Sequence, residues 1–423
     1  MKIVISTDVY YPMINGVAVF SKNLATGLKK RGHQVMVLAP SISGKFSVEK
    51  DPDYNFTIVR LKSTRMYLYP DQIEKIPNDK KVLGIKMPQL LYKNGLHVSY
   101  NPYSDIRRVL EDFKPDIIHN QTSGPLALAI FRYAKKRNIP IVMTDHTYPD
   151  NLTQQVKLPK FAKKPINAAM NAYFMSFLRR SEYATLPTKQ AITDLLPKNH
   201  HSFKVPVEAL SNGIDLSRFT KGPASEEIYK KYAIPKNVPI ILYVGRIDPE
   251  KSLDILVNSF KKLIKEAPKA HLVMVGDGTA REKLEKMIKR KKLGSQTHFI
   301  GRVIGDDLSQ IYRTGTVFVI TSKTETQSIV LMEAMASGLP AIAVNAGAVT
   351  ELVKDGENGF IFEPDDTAGI ASGINTIISN KELREKMSKN ALKMITKHDI
   401  NYTLSRFEKI YNNVLRSRSK QLG

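Results

Sequence analysis

The sequence predicts an α/β chain made of two doubly wound domains, each a parallel sheet with helices on both faces. Three observations lead there. The chain has 423 residues, more than one ordinary hydrophobic core serves. Short apolar runs alternate with segments of helical spacing. The same alternation starts again in the second half, after a polar stretch with little periodicity at Asn199–Glu208.

Taken in order, Ile3–Ile5 is the first strand. Val17, Phe20, Leu24 and Leu28 then recur at helical spacing, and Gly32 ends that helix just past a basic last turn. Val35–Leu38, Asp116–His119 (behind Pro115) and Ile139–Thr144 follow as strands. In the second half Ile240–Val244, His271–Val275, Val317–Ile320 and Ala341–Val344 read as strands, with helices at Leu253–Ile264 and Ile329–Ala336. Strand, helix, strand at crossover spacing implies parallel pairing. The expected domains are 1–205, 206–395 and a closing helix, 396–423, that packs back toward the first domain and frays in its basic tail from Arg416. The two domains are expected to face each other across a cleft. Ligands in such sheets bind at the carboxyl ends of the strands, so loops there carry the argument.

Lys and Arg number 64 against 40 Asp and Glu, a net charge of +24. Residues 1–208 hold 31 basic and 16 acidic residues, a net of +15, so the excess concentrates in the first half. Such a balance implies an anionic partner. With no cysteine, disulfides and thiolate metal sites are excluded. The N-terminal apolar run is too short for a secretory signal. No apolar run approaches the roughly 18 residues of a spanning helix, so no membrane crossing is expected.

Chemistry-bearing residues cluster at strand ends of the second half. After Ile320 a loop carries Glu325, Gln327 and Ser328, and the helix behind it carries Glu333. A helix N-terminus attracts phosphate. Carboxylates accept from hydroxyls, so Glu325 and Glu333 suit a sugar and a ribose on either side of a diphosphate. Arg246 and Lys251 follow the strand ending at Val244 and can converge on that diphosphate. In the first half Gly16 follows Asn15 ahead of the first helix, and His146 follows the strand ending at Thr144. His119 is a weaker candidate at another strand end.

The order and spacing of Gly245-Arg246…Lys251, Gly276-Asp277-Gly278, Glu325-x7-Glu333, Asn345-Ala346-Gly347, Glu351 and Asp355-Gly356-Glu357-Asn358-Gly359-Phe360 resemble the family-4 retaining glycosyltransferases. The stretch Thr7–Pro12 with Asn15-Gly16-Val17 resembles the same family's acceptor-side loop. Ala348 departs from it, standing where a second glycine is common. The resemblance implies the GT-B fold and a nucleotide-sugar donor. It gives Arg246 and Lys251 the diphosphate, Glu325 the donor sugar, Glu333 the ribose, and Gly16, Gln327 and Ser328 further donor contacts. It puts His146 beside the reacting sugar, making His146 and Glu325 the catalytic candidates. It implies retention with no metal and no cofactor; no Asp-x-Asp pair is placed for a divalent ion.

TDVYYPMINGV, DHTYPDNLTQQ and SKTETQSIVLMEAMASG are most similar to the family's lipid-directed members, among them the enzymes that make α-glucosyl diacylglycerol from UDP-glucose. A lipid acceptor is therefore expected, with GDP-mannose or a soluble or cell-wall acceptor as the alternative. A non-catalytic binder of anions is the reading from another class, supported by charge alone. No nucleic-acid motif accompanies that charge, and no nucleic-acid partner is expected. Residues 155–181 contain no acid. Lys160, Lys163, Lys164, Arg179 and Arg180 flank an apolar stripe that includes Phe174 and Phe177. An interfacial segment needs that combination. It predicts peripheral attachment to an anionic membrane surface on the cytoplasmic side, with Phe174 and Phe177 able to insert.

Overall fold

A computed structural model of the chain describes residues 1–13, 15–66, 81–82, 85–86, 96–146, 160–196 and 203–422. Two compact units result: Met1–Gly213 together with Ile400–Gly423, and Ile214–Asp399.

The first unit holds an eight-stranded sheet. Its strands are β1 (Lys2–Ser6), β2 (Gln34–Pro40), β3 (Ser47–Lys50), β4 (Thr57–Leu61), β5 (Ile117–Asn120), β6 (Ile141–Thr144), β7 (Tyr183–Leu186) and β8 (Val207–Ala209). The order across the sheet is β8-β7-β6-β5-β1-β2-β4-β3. Every pair is parallel except β3 on β4. The chain order reverses between β1 and β5, which makes the crevice at their carboxyl ends the switch point.

The second unit holds a six-stranded parallel sheet: β9 (Ile240–Val244), β10 (His271–Val275), β11 (Thr297–Gly301), β12 (Val317–Ile320), β13 (Ala341–Val344) and β14 (Gly359–Phe362). Its order, β11-β10-β9-β12-β13-β14, reverses between β9 and β12. Those two strands precede the loops of Arg246–Lys251 and Glu325–Ser328. The inner strands of both sheets are apolar and buried on both faces, as parallel strands between helices must be, whereas the edge strand β3 is exposed and β8 and β11 are half-buried.

The helices that bear on the sites are α1 (Gly16–Lys30), α2 (Lys160–Leu178), α3 (Asp306–Thr314), α4 (Ile329–Ala336) and α5 (Ile400–Leu422). Asn15 caps α1, its side-chain oxygen accepting from the Ala18 amide at 2.9 Å. The expected join at 205/206 lies ahead of β8, which hydrogen-bonds in parallel to β7 and so belongs to the first sheet. Helix α5 lays Leu404, Phe407, Ile410, Tyr411 and Val414 into the core around α1 and β1. Its basic end was expected to fray, but α5 runs on to Leu422. Arg418 ties that end down by pairing with Glu182 at 2.7 Å, and Arg406 does the same further back, with Glu208 at 2.6 Å.

Candidate functional site

Backbone packing builds the loops at the second unit's switch point. Gly276 has φ +133, and a Cβ there would sit 1.9 Å from the Gly245 carbonyl oxygen. The loops after β9 and β10 therefore touch main chain to main chain, and the Ile247 amide donates to the Asp277 carbonyl at 2.9 Å. That contact holds together the loop after β9, which carries Arg246 and Lys251, and the loop after β10. Gly347, with φ +58, packs against the backbone of Glu325 in the same way; a Cβ would meet its nitrogen and oxygen at 2.9 Å. Ala348 is buried, and its amide donates to the Glu325 carbonyl at 2.9 Å. The Ala at this position thus leaves the local packing intact.

The structure brings Lys251 and Glu325 together across the β9/β12 crevice, Nζ to Oε1 at 2.7 Å. Both are largely shielded from solvent. Arg246 lies in the same loop with its guanidinium on two buried carboxylates, Asp248 and Glu250. Neither acid stood out in the sequence. An Asp two residues after an Arg reads as a solvated loop charge until burial is known. Asp248 also accepts from the Thr279 amide at 2.8 Å, joining the β9 and β10 loops.

Ser328 is the N-cap of α4, its hydroxyl accepting from the Leu331 amide at 3.4 Å, and Gln327 is buried beside it. Glu333 lies inside α4 with 8% of its surface exposed. The Tyr312 hydroxyl, from α3, donates to it at 2.8 Å. Burial pushes the Glu333 carboxyl up to about 7, while the Tyr312 hydrogen bond and the Arg218 charge pull the other way. In the stretch Asp355–Phe360 a turn leads into β14, and the buried Asn358 holds it, donating to the Leu352 carbonyl at 2.9 Å and accepting from the Lys354 amide at 2.7 Å.

In the first unit the switch point gathers β1 and β5 loop residues. The buried Asp8 accepts from the Thr122 hydroxyl at 2.6 Å and the Leu126 amide at 3.2 Å. It thereby caps the helix Pro125–Arg137, and burial raises its carboxyl above the usual range. His146 is 8% exposed, with Nε2 3.1 Å from Gln121 Oε1. Burial lowers its pKa to about 3, so the ring is neutral at physiological pH. Gly16 opens α1 and is exposed.

His119 turns out to be a core residue. Nδ1 lies 2.6 Å from the Tyr411 hydroxyl and Nε2 lies 2.7 Å from the Thr144 hydroxyl. It is fully buried, and desolvation with His146 nearby lowers it to about 3. Tyr411 comes from α5, almost 300 residues later, which no local pattern announces.

The apolar stripe of α2 does not face outward in its second half. Phe174 is 7% and Phe177 0% exposed, and Phe177 packs edge-on against Phe131 at 5.2 Å. The expectation that these two insert into a membrane is overturned, because the core of the first unit takes them. Lys164, Arg179 and Arg180 are exposed. Arg180 lies over the Phe177 ring at 4.8 Å and Arg179 over Phe203 at 4.7 Å. Lys160 and Lys163 are on α2, but their side chains lie outside the described residues. Among the described residues no helix is long and apolar enough to cross a membrane.

Comparison with known proteins agrees with this architecture. Residues 14–218 match Glycosyltransferase Family 4 and residues 224–394 match Glycosyl transferases group 1. The sulfoquinovosyl transferase SQD2 of Arabidopsis thaliana is 32% identical over 68% of this chain; the match spans 54% of that protein's length. An alpha-monoglucosyldiacylglycerol synthase of Acholeplasma laidlawii is 29% identical over 92% of both chains. Among solved structures, the sucrose-phosphate synthase of Thermosynechococcus elongatus superposes with a TM-score of 0.78 at 18% identity, covering 98% of this chain and 99% of its own. That likeness shows the fold, GT-B. The chain belongs to the family-4 glycosyltransferases and is a glycosyltransferase enzyme.

Proposed function

We propose that the enzyme transfers a hexosyl group with retention from a nucleotide-sugar, glucose from UDP-glucose first, to a membrane lipid such as diacylglycerol. The observation that carries this reading is the relative from Acholeplasma laidlawii, a monoglucosyldiacylglycerol synthase by name, alike over 92% of both chains. The geometry supports it. Arg246 and Lys251 lie at the switch point after β9, where the diphosphate would take Lys251 from Glu325. Glu325 is then released to the hydroxyls of the donor sugar, and Glu333 takes the ribose. Gly16, Gln327 and Ser328 lend further donor contacts. The neutral His146 suits a position beside the reacting sugar, as a hydrogen-bond partner rather than a cation. The leaving diphosphate takes the acceptor proton, and the protein contributes position and stabilisation of the leaving charge. No step in this proposal uses a metal or a cofactor.

The proposal includes reversible attachment to the anionic cytoplasmic leaflet through Lys160, Lys163, Lys164, Arg179 and Arg180. The test is a panel of nucleotide-sugars incubated with and without diacylglycerol-containing vesicles, with the lipid product analysed for its anomeric linkage. α-Glucosyl diacylglycerol from UDP-glucose is expected. Transfer to a water-soluble acceptor alone, or a β-linked product, overturns the reading.

A further inference from the structure

The Tyr312 phenol has one proton and faces two acceptors, Glu333 Oε2 at 2.8 Å and the Val330 carbonyl at 3.2 Å. Tyr312 is fully buried, edge-on to Phe219 at 5.7 Å and beside Phe318. No water can replace its hydrogen bond without opening that packing. We propose that Tyr312 is a positioning residue, which presents the Glu333 carboxylate to the donor ribose by donating a hydrogen bond to it from the phenol. The inference rests on the assignment of Glu333 to the ribose.

The geometry allows two hydrogen-bonded arrangements. With Glu333 ionised, the phenol donates to Oε2 and leaves the carboxylate free to accept from two ribose hydroxyls. With Glu333 protonated, the carboxyl can donate to the phenol oxygen, and the phenol turns its proton to the Val330 carbonyl. In that arrangement Glu333 has lost an acceptor position and faces the ribose poorly. The groups that bias the choice are few. Tyr312 on α3 and Arg218 ahead of α3 both favour the ionised form, and burial opposes them. Tyr243, on β9, faces Tyr312 rather than Glu333. Removing the phenol oxygen therefore leaves Arg218 alone against burial, and the proton stays on Glu333 to higher pH.

Tyr312→Phe removes one oxygen and adds no volume, so the fold should persist; thermal melting verifies that. The probe is intact UDP-glucose, whose doubly esterified diphosphate has no proton to lose near neutral pH. Calorimetry from pH 5.5 to 8.5 in buffers of different ionisation enthalpy reads both affinity and protons released. In the wild type, affinity should rise with pH through about 7 and binding at neutral pH should release part of a proton. In Tyr312→Phe the rise should move to higher pH, with about five- to tenfold weaker binding at pH 7, a gap that closes as pH rises, and more proton released. Glu333→Gln should bind weakly with no such pH dependence. A constant gap, or none, between Tyr312→Phe and wild type overturns the proposal for Tyr312. Wild-type affinity in Glu333→Gln overturns the ribose assignment itself, whatever Tyr312→Phe does.

Discussion

The two switch points present different electrical states at the ends of similar sheets. In the second unit Lys251 stands against Glu325, and Arg246 against Asp248 and Glu250. In the first unit the corresponding strand ends hold one imidazole, His146, kept neutral by burial, and a carboxyl group, Asp8, spent on capping a helix. A diphosphate needs cations, and those cations need counter-ions that can let go when it arrives. A neutral hydroxyl needs hydrogen-bond partners, and a fixed positive charge there would only cost desolvation. The difference teaches that at the two switch points charge marks the side proposed for the donor and its absence marks the side proposed for the acceptor.

The largest expected effect lies outside both crevices, on the basic surface of α2. Replacing Lys160, Lys163, Lys164, Arg179 and Arg180 by Gln removes up to about 5 kcal/mol of attraction to an anionic leaflet at low salt, at about 1 kcal/mol per cation. Vesicle co-sedimentation should fall by orders of magnitude while calorimetric nucleotide affinity holds. With Phe174 and Phe177 in the core, wild-type attachment should also yield to 1 M salt, where the Debye length is about 3 Å. Salt-resistant binding would point to another segment.

Arg246→Ala tests the donor side. It leaves Asp248 and Glu250 buried without their cation, so we expect about 3 kcal/mol of lost stability as well as weaker nucleotide binding. Urea unfolding followed alongside calorimetry separates the two. A variant as stable as wild type would mean the carboxylates find other partners.

Lys251→Ala should weaken UDP binding about ten- to a hundredfold, the worth of one charge-assisted hydrogen bond of about 1.5–3 kcal/mol. Glu325→Ala should do the opposite to the free nucleotide, leaving its affinity equal or slightly higher because Lys251 is already released, while turnover collapses. Parallel losses of UDP affinity in both variants would show that the ion pair is structural and not exchanged for ligand.

The smallest effect belongs to the first unit and concerns pH. Folding lowers His146 to about 3 from 6.5, so below pH 6.5 the unfolded chain binds a proton that the folded chain refuses. Its contribution is complete above 6.5 and is lost as pH falls toward 3, at about 1.4 kcal/mol per pH unit. His146→Gln should flatten the acid limb of stability by that slope, measured as urea midpoints between pH 6.5 and 4.5. It should also lower turnover, while wild-type activity shows no loss from imidazole protonation down to pH 5. An unchanged slope would mean that the imidazole reaches water more freely than its burial indicates.

The sequence by itself determined eight of the fourteen strands in the two sheets, their parallel pairing and the residues at their ends, while β3, β4, β7, β8, β11 and β14 carried no signal read there. Apolar runs such as Ile240–Val244 must be buried on both faces, and the loops behind them hold Arg246, Lys251 and Glu325 because only strand ends project polar side chains toward a ligand. It also marked the end of α1, since Gly32 takes φ +85. Tertiary structure alone decided who meets whom. Lys251 and Glu325 are neighbours because β9 and β12 are adjacent, and strand order leaves no local signature. His119 became a core residue because α5 returns with Tyr411. Phe174 and Phe177 face inward because the side of a helix that is wet depends on what packs against it, and an aromatic stripe flanked by cations reads the same whether it meets a membrane or its own sheet. Nothing local in the sequence marks Tyr312. Only its distance to Glu333 gives the hydroxyl a role.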